Sequence, residues 1–194
     1  MPSVRADLID VYIVRPVAPN ARTGGARSGE RGGAAFEFLQ LRRTREPMAG
    51  TWHCVMGHVE SGEAAVAAMV REVLEEVGLD VRASAREFGG VWCLEQVHPF
   101  FVPELDAVVL SPRFVVEVPS DWEPRLNAEH DGARWVDGPI GLEGKARAAA
   151  LRRWLWPGQR KAVEEACAEI LALPGGDRST ADRLRLDPSR VGTG

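Results

Sequence analysis

Apolar residues along the chain keep two rhythms. DLIDVYIV (7–14) and AAFEFLQL (34–41) are short runs dense in β-branched and aromatic residues, which predicts strands. REFGGVWCLEQV (86–97), DAVVLSPRFVVEVP (106–119) and GARWVD (132–137) read the same way. The second rhythm is helical. Val66, Met69, Val70, Val73 and Val77 recur at i, i+3, i+4, i+7 and i+11, forming one core-facing stripe. That helix is predicted to start near Ser61 or Gly62 and to stop at Gly78, a residue suited to a left-handed cap. PGQRKAVEEACAEILAL (157–173) predicts another, with Pro157 in its first turn and Ala162, Val163, Ala166, Ile170 and Leu173 as its apolar positions. A shorter helical piece around Lys145–Trp154 precedes it. Helices mixed among strands argue an α/β chain, either α+β or an α/β/α sandwich.

Two stretches fall outside both rhythms. RPVAPNARTGGARSGERGG (15–33) holds five Gly, two Pro and four Arg, and so predicts a flexible loop or insertion over 16–33. The end, PGGDRSTADRLRLDPSRVGTG, has four Gly, two Pro and four Arg, and predicts a flexible tail over 174–194. What remains, 5–173, is the length of one domain with a sizeable core.

The chain has 194 residues, 45% hydrophobic and 27% charged, with a net charge of −4. This is the composition of a soluble globular protein, and it carries no field that would draw it to nucleic acid or an anionic membrane. Cys54, Cys93 and Cys167 are odd in number and widely spaced, with neither a CxxC pair nor a disulfide framework. MPSVRADLID lacks an apolar signal core and no run approaches membrane-spanning length, so a cytoplasmic location is expected.

The unusual chemistry lies in GHVESGEAAVAAMVREVLEEVGL (57–79). Glu72, Glu75 and Glu76 fall at i, i+3 and i+4, beside the valine stripe, where like charges repel. Such carboxylates can share a hard divalent cation, and Mg²⁺ would keep waters that a substrate's phosphates replace. The Gly-rich turn ahead of them lets backbone approach the same ion, and Arg71 can orient a glutamate through a two-pronged hydrogen bond. Taken alone, three glutamates read more readily as a solvated acidic face than as a metal site.

The spacing resolves that choice. Gly57, Glu63, Arg71, Glu72, Val73, Glu75, Glu76, Gly78 and Leu79 fit G-x5-E-x7-R-E-U-x-E-E-x-G-U, where U is a bulky aliphatic, at every fixed position. This stretch resembles the Nudix box, and the strand order around it resembles that family's α/β/α sandwich with a mixed sheet between helices. The resemblance implies hydrolysis of a nucleoside diphosphate linked to another group, with Mg²⁺ or Mn²⁺. It implies that Glu72, Glu75 and Glu76 bind metal or activate water, that Glu63 and Arg71 buttress loop and helix, and that the Gly57 carbonyl joins the metal. The general base is not assigned among the glutamates.

The flanks point to a substrate class. TWHCVMGHVE (51–60), AEHDGARWVD (128–137) and WPGQRKAV (156–163) resemble bacterial dihydroneopterin triphosphate pyrophosphatases and dATP pyrophosphohydrolases, although Gln159 stands where those usually have Asn. The proline that ADP-ribose enzymes carry beyond the box is absent, Leu94-Glu95 standing there. The only tyrosine, Tyr12, cannot be the one that follows the box in dinucleoside-polyphosphate enzymes. The expected reaction is release of pyrophosphate from a nucleoside or pterin triphosphate. Hydrolysis of ADP-ribose, a nucleotide sugar or a dinucleoside polyphosphate is the alternative, and a non-catalytic nucleotide sensor is the alternative from another class. The resemblance also implies that Glu129 reaches the metal cluster, against a plain reading as a loop charge beside His130.

Among Arg42, Arg43 and Arg45, Arg42 is the preferred phosphate ligand. Trp52, Trp92 and Phe100 are candidates to stack a purine or pterin, or are core. His53 and His58 form an H-x4-H pair, but a zinc site is not expected without a further ligand near in sequence. The expected partner is a small nucleotide or pterin phosphate, with no nucleic acid or membrane, on a monomer or homodimer.

Overall fold

Ile9, Val11 and Ile13 are buried on one side of a strand and Tyr12 and Val14 on the other, and this alternation sets the layers of the molecule. The computed structural model describes residues 1–17, 36–46, 48–83, 89–171 and 179–188. Strands β1 (Ser3–Arg5), β2 (Leu8–Pro16), β3 (Phe36–Arg43), β4 (Trp52–His53) and β5 (Val55–His58) lead into helix α1 (Ala65–Val77). Then come β6 (Gly90–Cys93), β7 (Phe100–Val102), β8 (Ala107–Val109), β9 (Arg113–Glu117) and β10 (His130–Asp137), followed by α2 (Gly144–Leu151), α3 (Pro157–Ala166) and α4 (Ser179–Leu184).

The main sheet runs β10-β3-β2-β9-β6, with β4 added to β3 and β5 to β2. β2 and β9 are parallel and the other pairs antiparallel, so the sheet is mixed. Helix α1 covers one face, packing Met69, Val70, Val73 and Val77 against Ile9, Val11, Leu39, Leu41, Phe114 and Val116. Helix α3 covers the other, packing Ala162, Val163 and Ala166 with Tyr12, Phe38, Val115 and Trp154. This is the expected α/β/α sandwich. The described helices include none long and apolar enough to cross a membrane.

Several boundaries differ from the sequence expectation. Helix α1 begins at Ala65 because Gly62, at φ +81°, closes a turn in which the Glu63 amide bonds the Glu60 carbonyl. Its end is as expected: Gly78 sits at φ 71° and its N–H bonds the Leu74 carbonyl, while the Leu79 N–H bonds that of Val73. The single strand expected over 106–119 is two, because Pro112 has no N–H to give a ladder. β8 joins β1 and β7 in a separate three-stranded sheet, while β9 stays in the main one. Of the stretch expected to be a strand over 86–97, only 90–93 is one, and 84–88 lies outside the described residues. The loop expected over 16–33 lies outside them from 18 onward. Within the expected tail, residues 179–188 dock instead of lying free. Ala181 and Leu184 are buried, the Leu186 N–H bonds the Val91 carbonyl, and Arg183 pairs with Glu95.

Candidate active site

The C-terminal half of α1 carries the box glutamates along the edge of its buried stripe. Residues 72 and 76 are one turn apart and look toward the sheet, whereas 75 is rotated outward. Accordingly the side chains of Glu72 and Glu76 are 13% and 4% exposed, and that of Glu75 is 55% exposed. Glu72 lies over Gly57 in β5, so closely that a Cβ at Gly57 would overlap its side chain. Glycine is needed here for this approach, not for an unusual φ.

Arg71 fixes the group. Its Nε and Nη2 donate to Glu63 Oε1 and Oε2 at 3.1 and 2.9 Å, a two-pronged pair. Nη2 also donates to the His58 carbonyl at 2.8 Å and Nη1 to Glu72 Oε1 at 2.8 Å. Glu75 Oε2 is 3.5 Å from Nη1. The Glu63 carboxylate accepts the Glu60 amide at 3.0 Å, which ties the turn to the helix. Arg71 holds the Glu63 carboxyl below its ordinary pKa, while burial outweighs the same arginine at Glu72 and raises it.

Glu76 is the deepest of the three. Burial first, then the negative charges of Glu72 and Glu129, push its carboxyl up to about 9. Its Oε2 is buried and finds no hydrogen-bond partner among the described residues. His130 Nε2 stands 3.7 Å from that oxygen, beyond hydrogen-bonding distance. Burial, with help from His53 and Arg43, pushes His130 down to about 4, so this contact is not an ion pair at neutral pH. His53 packs on His130 with ring centroids 5.6 Å apart, and its Nδ1 donates to the Cys54 carbonyl at 2.6 Å. The two histidines were not anticipated as part of the site, and His58, the other half of the H-x4-H pair, points to solvent.

Glu129 lies on the turn before β10. The Asn127 amide bonds the Glu76 carbonyl at 3.3 Å, which pins this turn to the last turn of α1. The Glu129 side chain itself stands 3.9 Å from Arg43 and 3.7 Å from Arg45.

The donor set suits a hard cation: carboxylates of Glu72, Glu76 and Glu129, with the more exposed Glu75 at its outer edge, and the backbone of Gly57, all oxygen. The orphaned Glu76 oxygen and the mutual repulsion of the carboxylates are what an added cation would relieve. As they stand, no three His, Cys, Asp or Glu side chains among the described residues are gathered tightly enough to hold an ion. Side chains must rotate to close on it.

The four expected substrate contacts are not gathered there. Arg42 pairs with Trp52 in register, on the α3 face of β3, while Leu41 and Arg43 look toward α1. Arg42 is held by Asp131 at 2.7 and 3.0 Å, and Arg134 lies 4.1 Å over the Trp52 ring. Trp92 is 7% exposed in the α3-face core, so its ring is core and not a surface platform. Phe100 belongs to the smaller sheet and stacks on Trp156 at 6.1 Å.

The chain is similar to known proteins in sequence and in fold. The family profile of the NUDIX domain matches residues 23–139. An octanoyltransferase from Myxococcus xanthus is 38% identical over 103 residues, 53% of this chain, and since these are 27% of that protein, the chain spans about a quarter of its length. An Ap4A hydrolase from C. elegans superposes with a TM-score of 0.58 at 16% identity, covering 84% of this chain and 96% of that one. The dihydroneopterin triphosphate pyrophosphohydrolase of E. coli superposes with a TM-score of 0.53 at 22% identity, covering 82% and 96%. At such identities the likeness to the two structures is one of fold.

Proposed function

Because the chain belongs to the Nudix family, whose members hydrolyse pyrophosphate bonds in nucleoside diphosphate derivatives, we propose that it cleaves a nucleoside-triphosphate-like substrate, dihydroneopterin triphosphate or a (d)NTP, with release of pyrophosphate. The observation that supports this is the position of Glu129. In the subgroup that the flanks resemble, a glutamate at this place completes the metal cluster, and here the turn carrying it is bonded to the Glu76 carbonyl. The fold shared with the E. coli dihydroneopterin triphosphate pyrophosphohydrolase agrees with it.

Glu72, Glu75, Glu76, Glu129 and the Gly57 carbonyl would hold Mg²⁺ or Mn²⁺. The ion, when bound, neutralises phosphate charge and lowers the pKa of the attacking water. Arg71 holds Glu72 over Gly57 and, through Glu63, keeps the preceding turn against the helix. A carboxylate not engaged on the ion takes the proton of the attacking water. Burial of Glu76 and His130 keeps bulk water from this end of the site.

Turnover of nucleotides, pterin triphosphates, ADP-ribose and diadenosine polyphosphates with Mg²⁺, each followed by chromatography of its products, tests the reading. Fastest turnover of a triphosphate is expected. A preference for ADP-ribose or a dinucleoside polyphosphate removes the substrate class, and binding without turnover of any of them makes the protein a sensor.

A further inference from the structure

Of five arginines on α1, on β3 and just after it, and on β10, three have their side chains locked by close partners and two do not. Arg71 and Arg42 each grip a carboxylate through two bonds, at 2.9 and 3.1 Å for Glu63 and 2.7 and 3.0 Å for Asp131, and Arg134 donates twice to Gln40. Arg43 and Arg45 instead stand 3.9 and 3.7 Å from Glu129, too far for hydrogen bonds. Arg43 faces the same side of the sheet as Leu41 and pairs in register with His130, which lies against Glu76. Its Nε donates to the Arg45 carbonyl at 3.1 Å, keeping the two residues together.

The backbone of Glu129 is fixed. Its N–H donates to Asn127 Oδ1 at 2.9 Å, and its carbonyl accepts the Thr44 N–H at 2.9 Å and the Thr44 hydroxyl at 3.0 Å. Only the side chain is free to choose between the arginines on one side and Glu72 and Glu76 on the other. Without a cation, Glu72 and Glu76 offer the Glu129 carboxylate no positive charge, and the arginines win.

Resting on the hydrolase reading above, we propose that Arg43 and Arg45 bind the phosphates of the substrate, that Glu129 occupies them in the ligand-free protein, and that phosphate binding releases Glu129 toward Glu76. A phosphate oxygen makes short charge-assisted bonds to guanidinium that the loose pairs with Glu129 lack, so the exchange is downhill. The last carboxylate of the cluster then arrives only when substrate is present.

Calorimetry tests this without turnover. In EDTA, methylenediphosphonate binding should weaken at least about tenfold in R43Q/R45Q, the loss expected for a hydrogen bond to a charged group. R42Q, on the opposite face of β3, should match wild type, and E129Q should bind the diphosphonate more tightly. With Mn²⁺ alone, R43Q/R45Q should bind the ion more tightly than wild type because Glu129 is set free. Measured against E129Q, the triple variant R43Q/R45Q/E129Q should show no such gain, whereas a gain owed only to two removed positive charges would persist. Persistence, undetectable diphosphonate binding by wild type, or an equal loss in R42Q overturns the proposal. Triphosphate turnover without these effects leaves the proposed function standing and removes this inference alone. Far-UV circular dichroism of each variant checks that it is folded.

Discussion

His130 Nε2 lies 3.7 Å from Glu76 Oε2, and neither atom has a hydrogen-bond partner among the described residues. Both groups resist charge, Glu76 titrating up at about 9 and His130 down at about 4. In the unfolded chain Glu76 ionises near 4.5, so between that value and about 9 the metal-free folded protein binds the extra proton. Its stabilisation is complete below the unfolded pKa and is lost as pH rises toward the folded one. The histidine works oppositely but only between 6.5 and about 4. Above pH 7 the glutamate is left alone. In EDTA the melting temperature should therefore fall from pH 7 to 9 more steeply in wild type than in E76Q. Parallel curves would remove Glu76 as the cause.

Arg71 makes two bonds to Glu63 with a geometry that lysine cannot reproduce. R71K should keep the fold, since the arginine is at the rim of the core, and lose about ten- to a hundredfold in turnover as Glu72 loses its support. Steady-state rates on the best substrate of the panel, with a melting curve beside them, check this. Full activity in R71K would show that the clamp does not position Glu72.

At Gly57 a methyl group would meet the Glu72 side chain and push it off β5. G57A should fold, because its backbone is ordinary strand, yet lose about a hundredfold in turnover, the scale of a small misplacement in a reacting site. Unchanged turnover would show that Glu72 need not lie over this residue.

The docked segment 179–188 predicts a stability effect far from the chemistry. Leu184 is 8% exposed against the α3-face core. L184A should lower stability by about 2 kcal/mol, or roughly 4–8 °C in melting temperature for a domain of this size. No change would return the segment to a loosely attached end.

What the sequence showed and what it hid follow from the range of each signal. Helix α1 was legible because five apolar residues repeat at helical spacing and Gly78 closes it. The box was legible because its charges sit at fixed local offsets. The outward turn of Glu75 follows from the same helical wheel. The split at Pro112 carried its signal in the proline, but that β8 leaves for another sheet is a tertiary fact. Docking of α4 was hidden because only Ala181 and Leu184 of STADRL are apolar. Arg42 and Arg43 are neighbours of equal chemistry, and only the face that α1 occupies tells them apart. Alternation from Leu39 and Leu41 then puts Arg43 on the glutamate side. His53 and His130 come together across β4, β3 and β10, a pairing that no local spacing reveals.

The central claim is that Glu72, Glu76 and their neighbours exist to hold a divalent cation, and a calorimetric titration of Mg²⁺ into wild type and E76Q tests it most directly. Glutamine keeps the shape of Glu76 and removes its charge. The wild-type protein should bind Mg²⁺, and E76Q should bind it at least about tenfold more weakly, the loss expected when a metal's support is removed. Equal affinity in the two proteins, or no binding by either, would contradict the claim and leave these glutamates an acidic helix face.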